Sequence, residues 1–355
     1  MPSIPVAITI NTTIVSPTAT SAGWGAGALI GTSTATAKNT PKRYTSLAAL
    51  QTDHGTDTAV GIAAKSAFAQ GIAELYAVSV SVADTTPTAA EITAALNSLA
   101  DVVASQNLGA VALAGIHSDA PTLTAALKTW AEANRIIFAV SNPAGETVED
   151  IIAAAEALDT EYGIFLAHAT TGDMADDVGA ALLGVIVSAD PGDTLAWDAI
   201  NLSGIGKYTA ADGAALEAAR VNYVIDLENN GQLRLSNDLS LTSDADAVVQ
   251  YIDILISRAY TERRIRDAIA RYRIDTRKLP YTQAGIDTIR SLLVSALAEL
   301  ADTEQVLADY TVSMPALADI PAETIKSRIL PNIAIRVKLA GNMQEFVINL
   351  TLEAI

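Results

Sequence analysis

Chemistry in this chain would have to come from very few side chains. There are three histidines, His54, His117 and His168, and no cysteine. Disulfides, thiolate metal sites and cysteine nucleophiles are therefore excluded. None of the histidines has a second His, Asp or Glu at metal-ligand spacing on a shared face. His168 ends the apolar run "GIFLAH" (163–168), and strand ends are where α/β proteins place their sites. His117 lies in "GIHSDAP" (115–121), which sets His, Ser and Asp side by side. A catalytic triad converges from separate segments, so this stretch predicts an Asp/Pro turn after a strand. An α/β enzyme with a site near His117 and His168 stands as an alternative reading.

Two glycine-rich stretches invite a phosphate reading and fail it. "GWGAGALIG" (23–31) has a Thr/Ser/Pro-rich run before it and a strand after it. A phosphate-cradling loop needs the reverse, a strand before and a helix after, so the segment predicts a flexible linker. "LSGIGKYT" (202–209) resembles the end of a P-loop, but Asn201 stands in place of the first glycine and Tyr208 in place of Ser/Thr. No catalytic residue, cofactor or metal is expected.

The basic cluster "RAYTERRIRDAIARYRIDTRK" (258–278) holds 8 Lys+Arg against 3 acids. At helical spacing Ile265, Ile269 and Tyr272 form an apolar stripe with the arginines around it. It predicts a solvated or interface helix, and an acidic protein partner before nucleic acid, because the whole chain carries −18. The charge is unevenly spread. Residues 1–257 hold 9 Lys+Arg and 28 Asp+Glu, a sum of −19, while residues 258–355 hold 13 and 12, a sum of +1.

The elements that would position these residues follow from periodicity. The 355 residues suffice for two domains, and half are hydrophobic, with aromatics at only 5%, so the interior is built from small residues. No run reaches the ~18 apolar residues of a membrane span, and the start lacks a signal-peptide pattern; a soluble protein without membrane insertion is expected. Between Ala28 and Val187 short apolar runs (28–32, 75–82, 110–115, 136–140, 163–168) alternate with helical segments (58–71, 89–104, 121–134, 147–159, 174–189). Thr88 and Thr147 are helix-start residues. Continuous apolar strands between helices predict a mostly parallel sheet covered on both faces. Residues 220–242 predict a hairpin about Asn230-Gly231. Long helices are expected from about Asp244 to Arg273 and over 282–307, then a short strand (310–315), a short helix (321–330) and a terminal hairpin.

Both ends alternate with period two. At the N-terminus Ile4, Val6, Ile8 and Ile10 share a face; at the C-terminus Ile333, Ile335, Val337 and Leu339 do, then Phe346, Ile348, Leu350 and Leu352. Strands at chain ends suit pairing between chains, and a self-assembling shell or surface-layer protein is a further reading.

Four stretches together resemble the contractile tail sheath family of phage tails, tailocins and related injection systems. They are "GALIGTSTATAKNTPKRYTSLAALQTDHGTDTAVGIAAKSAFAQGIAELYAVSV" (27–80), the hairpin "RVNYVIDLENNGQLRLSNDLSLT" (220–242), the helix "VVQYIDILISRAYTERRIRDAI" (248–269), and the C-terminal order of helix, "Y-x-V" strand, short helix and hairpin. The likeness runs in order over nearly the whole chain. Arg220 departs from the family's glycine before Val-Asn, and "SNDLSLT" departs from its Gly-x-Arg-Thr.

The resemblance implies an α/β (α+β overall) protein. An N-terminal arm (1–23) leads to an outer α/β domain (24–235) with a mostly parallel sheet. An inner α/β domain (236–343) is completed by the N-terminal arm, and 344–355 is a donated strand. It implies stacked hexameric rings around an inner tail tube protein, with baseplate and tail terminator proteins as further partners and no direct nucleic-acid contact. The sheath would contract to drive the tube through a cell envelope. The particle would be a virion tail or a contractile injection particle assembled in the host cytoplasm. Ile4, Val6, Ile8, Ile10, Phe346, Ile348, Leu350 and Leu352 would be donated to neighbours. Ile333, Ile335, Val337 and Leu339 would lie on the acceptor sheet, and Lys326 and Arg328 are candidates for touching the tube.

Overall fold

A computed structural model of the chain describes residues 24–80, 86–105, 108–227, 230–244, 246–247, 249–276 and 278–342. The two expected donated strands, with Ile4, Val6, Ile8 and Ile10 and with Phe346, Ile348, Leu350 and Leu352, lie outside the described residues.

The larger part is built on one eight-stranded sheet. In chain order its strands are β1 (Ala26–Gly31), β2 (Lys42–Tyr44), β3 (Leu75–Ser79), β4 (Leu108–Leu113), β5 (Ile137–Ser141), β6 (Gly163–Ala167), β7 (Asn222–Ile225) and β8 (Arg234–Leu235). In space they run β2-β3-β1-β4-β5-β6-β7-β8. The six from β3 to β7 are parallel; β2 and β8 close the two edges antiparallel. Strands β1, β4, β5 and β6 are buried at every position. That explains their unbroken apolar runs, since a sheet covered on both faces has no polar side to alternate toward.

One face is covered by α1 (Leu47–His54), α2 (Ala59–Phe68) and α7 (Val178–Ser188), the other by α3 (Ala89–Asn97), α4 (Ala100–Ala104), α5 (Pro121–Asn134), α6 (Val148–Leu158) and α8 (Ala210–Ala218). Alternate residues of β1 serve the two sides: Leu29 packs toward α2 and α7, Ala28 and Ile30 toward α3 and α5. Thr88 closes a capping box with Glu91, and the Thr147 hydroxyl accepts from the Asp150 N–H, so both expected helix starts are built as capping chemistry requires.

The linker expected over "GWGAGALIG" is corrected. Trp24 is buried, its indole N–H donating to the Ile186 carbonyl at 2.8 Å, and a central strand begins at Ala26. The glycines serve a close approach: a Cβ on Gly25 would meet the Gly109 backbone at 2.8 Å, and one on Gly109 would meet the Trp24 ring at 3.0 Å.

Helix α9 (Ile252–Asp275) leaves the sheet, with Ile252, Leu255 and Ile256 packed into the α7-side core. It starts later than the expected Asp244. Leu239 and Ser240 instead lie antiparallel to Gln250 and Tyr251, through the Ser240 N–H to the Gln250 carbonyl at 3.0 Å and the Leu239–Tyr251 bridge. Arg220 completes this pairing, its guanidinium donating to the Ser240 and Gln250 carbonyls. It stands with φ at +64°, a conformation that favours glycine. Arg220 thus takes up a left-handed backbone conformation and adds a clamp through its side chain.

The smaller part follows as α10 (Gln283–Ala298), a turn of π-helix (Glu299–Thr303), β9 (Leu307–Ser313), α11 (Ala322–Lys326) and β10 (Ala334–Leu339). The second long helix therefore stops before the expected 307, because the π turn bends the chain into β9. Its core is Leu297, Leu300, Val306 and Leu307, with Tyr260 and Ile265 of α9 against it.

Candidate assembly site

The two-stranded sheet of β9 and β10 is antiparallel, with Ile335 opposite Val312, Val337 opposite Tyr310 and Lys338 opposite Asp309. Ile335, Val337 and Leu339 are half-buried against the small core, while Ala334, Arg336 and Lys338 face out. Period-two alternation follows from this one covered face. Ile333 sits one residue before the strand and lines an apolar cavity of about 620 Å³ with Ile286, Ile289, Ile325 and Leu330. Among the described residues β9 and β10 pair only with each other. Among the described residues neither has a partner on its other edge, and a two-stranded sheet is marginal by itself. Such an edge is a template for strand addition.

The described ends of the chain are both fastened to α9. Arg263 donates to the Trp24 carbonyl at 2.9 Å. The Asn342 amide donates to the Gly192 carbonyl at 2.8 Å and to Asp253 Oδ2 at 3.0 Å. Asp253 is 4% exposed, and its Oδ1 has no hydrogen-bond partner among the described residues. Burial, with Asp238 beside it, pushes its carboxyl up to about 6. Asp198 is likewise pushed up to about 6 by burial and by Asp193 and Asp238.

Lys326 and Arg328 stand at the exposed end of α11. Lys326 pairs with Glu323 at 2.6 Å, and Arg328 adopts φ of +59° beside the apolar cavity.

His117 and His168 lie just past strand ends of the large sheet, while His54 ends α1 with its Nδ1 2.9 Å from Ser33 Oγ. The parallel strands run second, first, third, fourth, fifth, sixth in space, so the chain reverses direction between β1 and β4. That switch point is the customary ligand crevice of open α/β sheets. Here it is a crevice of about 460 Å³ lined by Gly115, His117 and Asp177 among others. Asp177 Oδ2 accepts the Gly115 N–H at 2.9 Å and Oδ1 caps α7 through the Ala180 N–H at 2.9 Å. His117 Nδ1 lies 3.2 Å from Ser141 Oγ, and Ser118 donates to Glu146 at 2.7 Å. "GIHSDAP" therefore does not converge into a triad: its His and Ser point to different partners.

His168 is buried, with Nε2 on the Asn142 carbonyl at 2.9 Å and Nδ1 accepting from the Thr170 N–H at 3.4 Å. Burial pulls it down to about 4, so it is held neutral. The P-loop-like segment is also committed to structure. Lys207 pairs with Asp226 at 3.0 Å, and the Tyr208 hydroxyl donates to the His168 carbonyl at 2.7 Å. Among the described residues no group of three or more His, Asp or Glu could hold a metal ion, and no helix is long and apolar enough to cross a membrane.

No family model matches the chain, and no curated protein matches it. Solved structures do. The helical sheath of the anti-feeding prophage in its contracted state superposes with a TM-score of 0.70 at 13% identity, over 98% of this chain and 100% of that one. This chain has the fold of the contractile tail sheath proteins. The PVC sheath complex of an extracellular contractile injection system, also contracted, matches with a TM-score of 0.67 at 16% identity over 99% and 98% of the two chains. A sheath tail protein from Listeria innocua matches with a TM-score of 0.62 at 12% identity over 82% and 88%. The likeness spans both parts of the sheath fold, large and small, in one order.

Proposed function

We propose that this chain is a structural sheath subunit. Copies form hexameric rings that stack helically around an inner tail tube protein, between a baseplate and a tail terminator, and contraction drives the tube through a cell envelope. The observation that carries this reading is the whole-length coincidence of fold with sheath proteins of contractile systems, at both the large sheet and the small one. The subunit is not an enzyme. Its particle is a virion tail or a contractile injection particle, assembled in the host cytoplasm.

In this reading residues 24–235 form the outer domain and 236–343 the inner one. The open edges of β9 and β10 accept strands from neighbours: the N-terminal arm with Ile4, Val6, Ile8 and Ile10, and the C-terminal strand with Phe346, Ile348, Leu350 and Leu352. Lys326 and Arg328 lie on the tube side. Contraction uses no nucleotide. Its free energy comes from surface that outer domains bury between rings, about 25 cal/mol per Å² of apolar area, multiplied over many subunits.

Removal of residues 344–355 tests the strand exchange. The truncated subunit is expected to fold, with an unchanged thermal midpoint, and to stay dispersed in sedimentation. A truncated chain that still forms tubes would refute strand donation by this segment.

A further inference from the structure

The two ends of α9 carry two unlike surfaces. At its start lies a groove of about 760 Å³, lined by Trp197, Glu217, Leu227, Tyr251, Asp253 and Asn342. Trp197 is 48% exposed, Leu227 56% and Tyr251 36%. Six large hydrophobic side chains are exposed among the described residues, and these three share one groove. Aromatic anchors collected in a concave site are the usual centre of a protein interface. Among the described residues its lining carries two acids, Glu217 and Asp253, and no base, while Arg220 and Arg234 lie against Tyr251 and Trp197 beside it.

At the far end stands the converse. Ile274 is 75% exposed, the most exposed large hydrophobic among the described residues. Arg271, Arg273 and Lys278 stand exposed around it and make no ion pair among the described residues. The 24 residues of α9 hold groove and ridge about 36 Å apart. They cannot meet within one chain. A groove at one end and its complement at the other define a head-to-tail contact, the kind that builds rings or helical stacks.

We propose that the groove at the start of α9 receives the ridge of Arg271, Arg273, Ile274 and Lys278 of a second copy of this chain. Ile274 seats among Trp197, Leu227 and Tyr251, and a flanking arginine faces Asp253 and Glu217. The apolar seat supplies the affinity and the charges fix partner and register. This contact is separate from strand exchange at β9 and β10. It rests on the chain being a self-assembling subunit.

The chain has no cysteine, so an introduced pair reports without background. The full-length double variant Leu227→Cys/Ile274→Cys, oxidised at assembling concentration, is expected to give a ladder of covalent dimers and higher species on non-reducing gels. The control pair Ile62→Cys/Ile274→Cys uses another exposed position and is expected to give none. Adding Arg271→Glu and Arg273→Glu to the reporting pair is expected to cut the crosslinked fraction about tenfold. Thermal melts verify that each variant is folded. A reporting pair that crosslinks no more than the control overturns the docking contact. Electron microscopy of the unsubstituted protein judges the sheath reading separately: particles without the crosslink leave the sheath and remove this contact.

Discussion

Asp253 is a buried carboxyl whose pairing is incomplete among the described residues. It stands near Asp238, it binds Asn342 through one oxygen, and its other oxygen has no hydrogen-bond partner among the described residues. Its carboxyl is raised to about 6, with burial the largest cause, against about 3.9 in an unfolded chain. Between those values the native state holds the proton more tightly than the unfolded state. Stability from this group therefore rises as pH falls through about 6, and its cost is fully present above that. Asp253→Asn keeps an acceptor for Asn342 and removes the charge. The variant is expected to be more stable than the parent by about 1–2 kcal/mol at pH 7.5. The gap should close as the pH is lowered to about 4, where both side chains are neutral. Denaturant unfolding at both pH values measures it; a gap independent of pH would show that the charge is not the cause. None of this was legible in the sequence. Asp253 looks there like any acid in the first turn of a helix, and its burial depends on Asp238 and Asn342, distant in the chain.

At the scale of elements, the strands of the large sheet and the Thr-capped helices were legible because burial on two faces and N-capping each leave a local pattern. Two elements were misjudged for physical reasons. "GWGAG" has the composition of a linker, and glycine is equally the residue of close backbone approach; only the Trp24 indole over Gly109 tells the two apart. The sequence before Ile252 has a pattern that would extend α9, but Arg220 and the Ser240–Gln250 bond hold Gln250 and Tyr251 in an extended pairing instead. β2 and α8 are too short or too irregular in pattern to stand out. The close approach gives a test. Gly25→Ala places a methyl against the Gly109 backbone and is expected to lower stability by about 1–3 kcal/mol, as overpacked cores do. A surface substitution such as Thr52→Ala serves as the control. Equal thermal midpoints for the two variants would mean that the seam between β1 and β4 is slack.

At the scale of the whole molecule, two features of the candidate site differ in how they are encoded. The strand β10 was visible as alternation, since Ile335, Val337 and Leu339 answer to a single covered face. The groove was invisible, because Trp197, Leu227 and Tyr251 come from three separate segments with no shared period. The charge split acquires a structural sense. The strongly acidic residues before 258 include the groove, and the balanced remainder includes the basic ridge and the two-stranded sheet. The proposed end-to-end docking and strand exchange would together suit the subunit to repetition. Electron microscopy of the purified full-length protein over a concentration series tests this most directly. A sheath subunit gives stacked rings or tubes with six subunits per turn of the ring, lengthening with concentration; discrete small oligomers at every concentration would contradict it.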